Sequence, residues 1–412
     1  MIYFIKKYLK TEYNSRDLYL LLLIGGLYSI GLFLSNTFVN IYLWRQTEDF
    51  LIIATYHLAI SISKPITFII AGKITKKIDR VIVLRLGVIF LSLFFLTVLI
   101  LQENAAYFNV LLGVLIGIGY GFYWLAFNVL TFEITEPYNR VFFNGILGSL
   151  QSISGMIGPL LAGTIILYLK TNIGYMTIFS LSFILFIIAV ILSFFIDRRE
   201  TDGVYQLHLV IKEIKRNRDW KNMLIANFFQ GIRDGVFVFV ISIWIFLTTR
   251  SEFSLGVFNL LLNGSSLIIF LFLTIFMKDK HRKRFILFGA LIISFAIWIV
   301  IVDINIVRLM IYAVVIGISF PIIIVPFQSL TYDVIGKGFK AKDLRIEYIV
   351  LLEIVSNIGS ILSITLFIIG ITFYTVIDPI PLMLAIFSLS YLMIYFFIIP
   401  ITLLSDRSSD TI

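Results

Sequence analysis

Cysteine is absent from all 412 residues. Disulfide frameworks, thiolate metal ligands and thiol nucleophiles are thereby excluded. Charge is scarce. Asp, Glu, Lys and Arg make up 14% of the chain, against about 25% in an ordinary soluble domain. There is no HExxH helix, no GxSxG elbow, no carboxylate–histidine cluster and no GxxxxGK[ST] phosphate loop. Membrane enzymes and ATP-driven pumps need one of these constellations, so neither class is expected, and no catalytic residue, metal or cofactor with them.

What fills the chain instead is apolar. Hydrophobic residues make up 60% and the mean hydropathy is +1.02, a composition whose natural solvent is a bilayer. A helix needs about 20 mostly apolar residues to cross the hydrocarbon. Twelve such stretches are legible, at 18–44, 50–71, 82–102, 107–132, 141–169, 174–196, 221–249, 253–277, 285–303, 307–334, 346–374 and 382–404. They lack the alternation of barrel strands, so an all-α membrane protein with 12 transmembrane helices is expected. Orientation follows from the basic residues. Only Arg45, Lys170, Arg250 and Arg308 fall on one set of connections, and Lys64 and Arg233 fall within spans; the rest of the 33 lie on the other side. Both termini are therefore expected in the cytoplasm of a multi-pass cell-membrane protein. The net charge of +9 is spread over the inner loops and tails. It reads as topology and attraction to anionic lipid, and no nucleic-acid partner is expected. Residues 1–17 are too polar for a cleavable signal peptide. Ile2, Ile5 and Leu9 face away from Lys6, Lys7 and Lys10, which fits an interfacial helix or a plain basic tail equally well. Residues 405–412 form a short cytoplasmic tail.

The longest inner connection, 197–220, divides an N-terminal six-helix bundle, 18–196, from a C-terminal one, 221–404. Within it Leu207, Val210, Ile211 and Ile214 recur at helical spacing among charges, predicting an amphipathic helix on the cytoplasmic face. The bundles repeat each other. "IGIGYGFYWLAFNVLTFEI" from Ile116 in span 4 is answered by "IGISFPIIIVPFQSLTYDV" from Ile316 in span 10. Gly117 matches Gly317, Asn128 matches Gln328 and Glu133 matches Asp333, and the two glycines read as flexible points. "KKIDRVIVLRLG", ending at Gly87, is similar to "DKHRKRFILFG", ending at Gly289; Gly158 in "MIGPLL" matches Gly359 in "NIGSIL". A pseudo-two-fold repeat of whole six-helix units predicts a transporter that rocks one half against the other around a central site.

On these features the chain resembles the major facilitator superfamily of secondary transporters over essentially its full length. The most specific element is in span 5. The superfamily's exporter-associated pattern, G-x8-G-x3-G-P-x2-G-G, is met there by Gly145, Ser154, Gly158, Pro159, Ala162 and Gly163. Small residues let that helix press on a neighbour and Pro159 bends it; tight packing alone also accounts for them. Two other patterns depart. The family's loop after span 2, G-x3-[DE]-[RK]-x-G-[RK], keeps Gly72, Lys77 and Arg80, but Lys76 stands for the acid and Asp79 for the glycine. In the family that acid anchors a cytoplasmic gate to the other half, so here the anchor lacks its acid. Span 4 carries Gly113 where many proton-coupled exporters have an arginine, and a relay built on that arginine has no counterpart.

Charged side chains within a span cost roughly 2.5–3.5 kcal/mol on insertion scales and are functional candidates by default. The resemblance implies that spans 1, 4, 7 and 10 line the cavity. Gln230, Arg233 and Asp234 of span 7 then form its charged centre, or else a buried pair that only locks helices together. Asn36 and Asn40 of span 1, Tyr120, Tyr123, Trp124 and Asn128 of span 4, and Gln328 of span 10 are the further substrate contacts expected. In the same architecture spans 2 and 11 pack across the interface between halves. Lys64 and Glu353 each lie about 12 Å inside the cytoplasmic ends of those spans, which predicts an ion pair closing that side. Snorkelling of Lys64 to the interface is the alternative. Asp234 or Glu353 is expected to carry a coupling proton, and Gly72, Lys77, Arg80, Gly145, Gly158 and Pro159 to serve gating. His57, on the Lys64 face, is expected to be neutral and hydrogen-bonded. The lining is aromatic, amide-bearing and lightly charged, which suits a small amphiphilic organic compound. Proton-coupled efflux of such a compound by a monomer is the expected function; uptake, or flipping of a lipid-linked molecule, is the alternative.

Overall fold

The computed structural model describes residues 15–134, 137–169, 171–198, 203–276, 281–373 and 379–401. The segment carrying Ile2 to Lys10, together with Lys170 and the side-chain surroundings of Glu133 and Gly145, lies outside the described residues. Among those described, eleven helical stretches are long and apolar enough to span a bilayer. One of them, Arg80–Thr131, runs for 52 residues, about 78 Å as a single helix and far more than a bilayer needs. It is two spans joined by a 3-10 turn at Gln102–Phe108, and the chain is a twelve-span, all-α membrane protein.

Spans 1 to 6 are Ser15–Thr47, Phe50–Lys77, Arg80–Leu101, Asn109–Ile134, Pro137–Tyr168 and Thr171–Ser193. A short linker helix, Leu207–Glu213, follows, with Val210 fully buried and Ile211 exposed. Spans 7, 8, 10 and 11 are Arg218–Thr249, Glu252–Phe276, Ile306–Gly336 and Arg345–Phe373. Span 9 is broken into Arg282–Ala296 and Trp298–Ile301, and span 12 into Ile380–Ser388 and Ser390–Ile398. The breaks in spans 9 and 12 meet. Ser294 Oγ donates to the Ser388 carbonyl at 2.9 Å, and Ser388 Oγ to the Ser294 carbonyl at 2.8 Å. Each serine thus satisfies a carbonyl near the other helix's break, as a bilayer requires. Span starts are capped by short polar side chains: Asp49, Asp79, Asn217 and Asn305 accept from backbone N–H groups of spans 2, 3, 7 and 10.

The internal repeat is visible in how helices touch. Gly117 of span 4 lies on Ser63 and the Ile60 carbonyl of span 2, and Gly317 of span 10 on Ser265 and the Leu262 carbonyl of span 8. Gly87 faces the Tyr123 backbone, and Gly289 the Ile323 backbone. Gly158 of span 5 abuts Phe33 and Leu34 of span 1, while Gly359 of span 11 abuts Phe228 and Ile232 of span 7. A Cβ at Gly87, Gly117, Gly317 or Gly359 would strike the neighbouring helix, and one at Gly158 or Gly289 would crowd it at 3.0 Å. The repeated Gly117 and Gly317 are therefore packing points, not flexible ones. Between the two sets of six spans, span 2 packs along span 11 and span 5 along span 8.

Candidate functional site

Helix phase sorts the candidate residues. Tyr120, Trp124 and Asn128 are four apart on span 4, hence on one face, and each is partly accessible. Tyr120 Oη donates to Asn36 Oδ1 of span 1 at 3.3 Å. Asp234 stands at the middle of its 32-residue helix, yet 40% of its side chain is accessible. A carboxylate at mid-span with that access faces the bundle interior or a water-filled cavity. It is held in place from three sides. Tyr391 of span 12 donates to Oδ1 at 3.0 Å, and Gln230 Nε2 and Arg233 Nη1 each approach to 3.4 Å.

Arg233 points elsewhere. Adjacent residues project about 100° apart around a helix, and its side chain is only 8% exposed. The guanidinium lies 4.5 Å from the Phe237 ring centre and 5.0 Å from that of Tyr391, so the cation is held by aromatic faces behind the carboxylate. Its Nε is buried without an acceptor.

Two expected contacts, Tyr123 and Asn40, fall away from this group. Tyr123 is buried, stacked on Tyr28 at 3.8 Å between ring centres, and its backbone is the surface on which Gly87 packs. It fills the junction of spans 1, 3 and 4. Asn40 is buried and bonded through Oδ1 to His57 Nε2 at 2.9 Å; the His57 ring stacks on Phe239 of span 7 at 4.9 Å. Gln328 is exposed on span 10 and joins none of these hydrogen bonds.

On the face carrying the linker, two ion pairs tie span 2 to span 11. Lys64 Nζ lies 2.8 Å from Glu353 Oε2. Nearer the end of span 2, Lys76 Nζ lies 2.7 Å from Glu347 Oε1, and the Glu347 side chain is fully buried. The anchor that lacks its acid in the loop after span 2 is thus present with its charges exchanged, the lysine on span 2 and the acid on span 11. The linker is fastened to it. Gly203 N–H donates to the Lys76 carbonyl at 2.8 Å and Gln206 N–H to Glu347 Oε1 at 2.9 Å. Tyr205 lies over Gly72, where a Cβ would come within 2.8 Å of its ring. Burial and the Glu347 charge push the Tyr205 phenol up, so it stays neutral. Of the other loop residues, Asp79 accepts from Val81 N–H at 2.6 Å and caps span 3, which gives the departure from glycine a purpose. Lys77 is exposed and Arg80 half-buried.

The opposite face has a contact that sequence reasoning missed. Glu252, at the start of span 8, is 7% exposed. Its Oε1 accepts from Arg45 Nε at 2.8 Å and from Tyr175 Oη at 3.0 Å, joining span 1 and span 6 to span 8. Span 5 supports it. A Cβ on Gly163 would come within 2.7 Å of the Glu252 carbonyl, and one on Gly256 within 2.7 Å of the Pro159 carbonyl. The small residues of span 5 therefore press on both span 1 and span 8. In all three ion pairs that cross between the halves among the described residues, the first six spans supply the cation and the last six the carboxylate.

The Major Facilitator Superfamily profile matches residues 18–364. This chain belongs to the major facilitator superfamily. It is 48% identical over 394 residues to the uncharacterized protein YqgE of Bacillus subtilis (strain 168), covering 96% of this chain and 92% of that one. An uncharacterized protein in the sodM 3' region of Geobacillus stearothermophilus is 57% identical over 176 residues, 43% of this chain and 82% of the other. The crystal structure of the human organic anion transporter MFSD10 (TETRAN) superposes with a TM-score of 0.67 at 10% identity, covering 93% of this chain and 100% of that one. That likeness is one of fold. As a superfamily member the protein is a multi-pass membrane transporter of a small molecule, in a family of transporters and not of enzymes.

Proposed function

We propose that this transporter exports a small amphiphilic organic compound across the cell membrane in exchange for protons, by alternating access. The observation that carries the reading is the set of ion pairs joining the halves on both faces, with the accessible Asp234 carboxylate between them. In this reading the linker face is cytoplasmic, in keeping with its basic residues. With both sets of pairs made, the arrangement corresponds to an occluded intermediate. Rocking the halves apart on one face breaks the pairs there and leaves those on the other face intact. Lys64–Glu353 and Lys76–Glu347 are the cytoplasmic gate, and Arg45–Glu252 the outer one. Asp234 is the coupling carboxylate, for which proton and substrate compete. MFSD10 is an organic anion transporter by name. Here Arg233 is the buried partner and the accessible charge is the Asp234 carboxylate, which favours a neutral or cationic amphiphile.

The test is transport by the purified protein in proteoliposomes with imposed pH gradients and a panel of dyes, drugs, sugars and glycolipids. An inward-directed proton gradient should accelerate export of at least one amphiphile, and Asp234→Asn should abolish that acceleration. Export indifferent to the gradient would rule out proton exchange.

A further inference from the structure

A groove lies away from the central face, at the end of the molecule opposite the linker. It is an open groove of about 430 Å3 between span 1, the 3-10 turn and span 6. Its wall on span 6 runs from Asn172 through Met176 and Ser180 to Ile184, a stripe of one helix face. The stripe rises about 18 Å, close to half of the roughly 30 Å hydrocarbon core. The groove thus has the length of one leaflet. Polarity is graded along it. Gln102, Glu103 and Asn172 stand at the outer end, whereas Leu181 and Ile184 are exposed toward the middle of the membrane.

The outer end is braced. Gln46 of span 1 donates from Nε2 to the Gln102 carbonyl at 3.1 Å and accepts at Oε1 from Ala106 N–H at 2.8 Å. These bonds hold the turn with Gln102 at a φ of 47°, a region that side-chain-bearing residues seldom occupy. Glu103 accepts from Asn172 Nδ2 at 2.8 Å and takes part in no ion pair among the described residues. Arg45, on the same end of span 1, is committed to Glu252.

We propose that this groove binds a phospholipid of the outer leaflet whose headgroup carries a primary amine. The ammonium pairs with Glu103, beside the amides of Gln102 and Asn172, and one acyl chain lies along span 6 toward Ile184. An anionic headgroup without an amine would set its charge against the Glu103 carboxylate. The site stands apart from the transport pathway and rests on neither the cargo nor the direction of transport.

The test uses full-length protein in phosphatidylglycerol nanodiscs doped with phosphatidylethanolamine that carries a photoactivatable diazirine on its acyl chain. Adducts are mapped by mass spectrometry. They should concentrate on residues 172–184 relative to span 9, whose Phe288, Ile292, Phe295 and Trp298 are exposed. Glu103→Gln should lower the span 6 adducts by about threefold, the size of an exposed charge pair. Glu103→Lys, at the same exposed position, should turn the preference toward photoactivatable phosphatidylglycerol. Ser180→Phe, which fills the groove, should remove the enrichment. Even labelling of all lipid-facing spans would overturn the proposal, as would enrichment that is equal for the two lipids and unchanged in the Glu103 variants.

Discussion

At the scale of single residues, helix phase decides which charge meets the cavity. Arg233 and Asp234 are neighbours in sequence and equally conspicuous in an apolar run, yet only the carboxylate is accessible. Spacing groups Tyr120, Trp124 and Asn128, which are four apart, but Tyr123 is only three from Tyr120, and what buries it is Tyr28 and Gly87 of other spans. Lys64 and Glu353 were legible because charge inside a span is costly, and their depths matched. Glu252 was not, because it sits at a span end beside Arg250 and Ser251, where charge is ordinary. What buries it comes from Arg45 and Tyr175, remote in sequence. In a proteoliposome transport assay, Lys64→Glu and Glu353→Lys should each reduce the rate by about tenfold or more, as loss of a partly buried charge partner predicts. The double exchange should restore most of it. A double mutant no better than either single one would show that the pair does not gate.

At the scale of elements, hydropathy gave all twelve spans but not their joints. The continuous helical stretch from span 3 to span 4 and the breaks in spans 9 and 12 depend on partners such as Ser294 and Ser388, which no window of sequence contains. The loop after span 2 shows the same limit. Read by its motif it had lost its anchor; in three dimensions Lys76 finds Glu347. Removing either partner of this buried pair should cost the closed gate about 3–5 kcal/mol. Lys76→Glu should therefore abolish transport, and Lys76→Glu with Glu347→Lys should recover it. The linker is expected to act with this gate. Tyr205→Ala should raise the thiol reactivity of a cysteine placed at Asn357, which is buried on span 11 beside the Glu353 carboxylate, measured with a membrane-impermeant reagent from the linker face. Unchanged reactivity would mean the linker rides on the gate without holding it. On the opposite face, Gly256→Leu should prop span 8 off Pro159, at the cost of about 1–3 kcal/mol that overpacking carries. Reagent access from that face should then rise.

At the scale of the whole molecule, the repeat was legible because its offset is constant, and the structure gives it a meaning beyond symmetry. The halves share a scaffold, but in the three ion pairs that cross their seam among the described residues the charges do not repeat: cations lie on one side and carboxylates on the other. A chain built from two similar six-helix units runs the risk that a unit pairs with a copy of itself. Here such a pairing would set span 2 against span 5 of the other copy, or span 11 against span 8, and leave Lys64 and Lys76, or Glu347 and Glu353, without the partners they have in the chain. The seam therefore acts as an address, telling each unit which other one to accept. Cut within the linker and expressed as two polypeptides, the halves should co-purify with each other, and neither should co-purify with a differently tagged copy of itself.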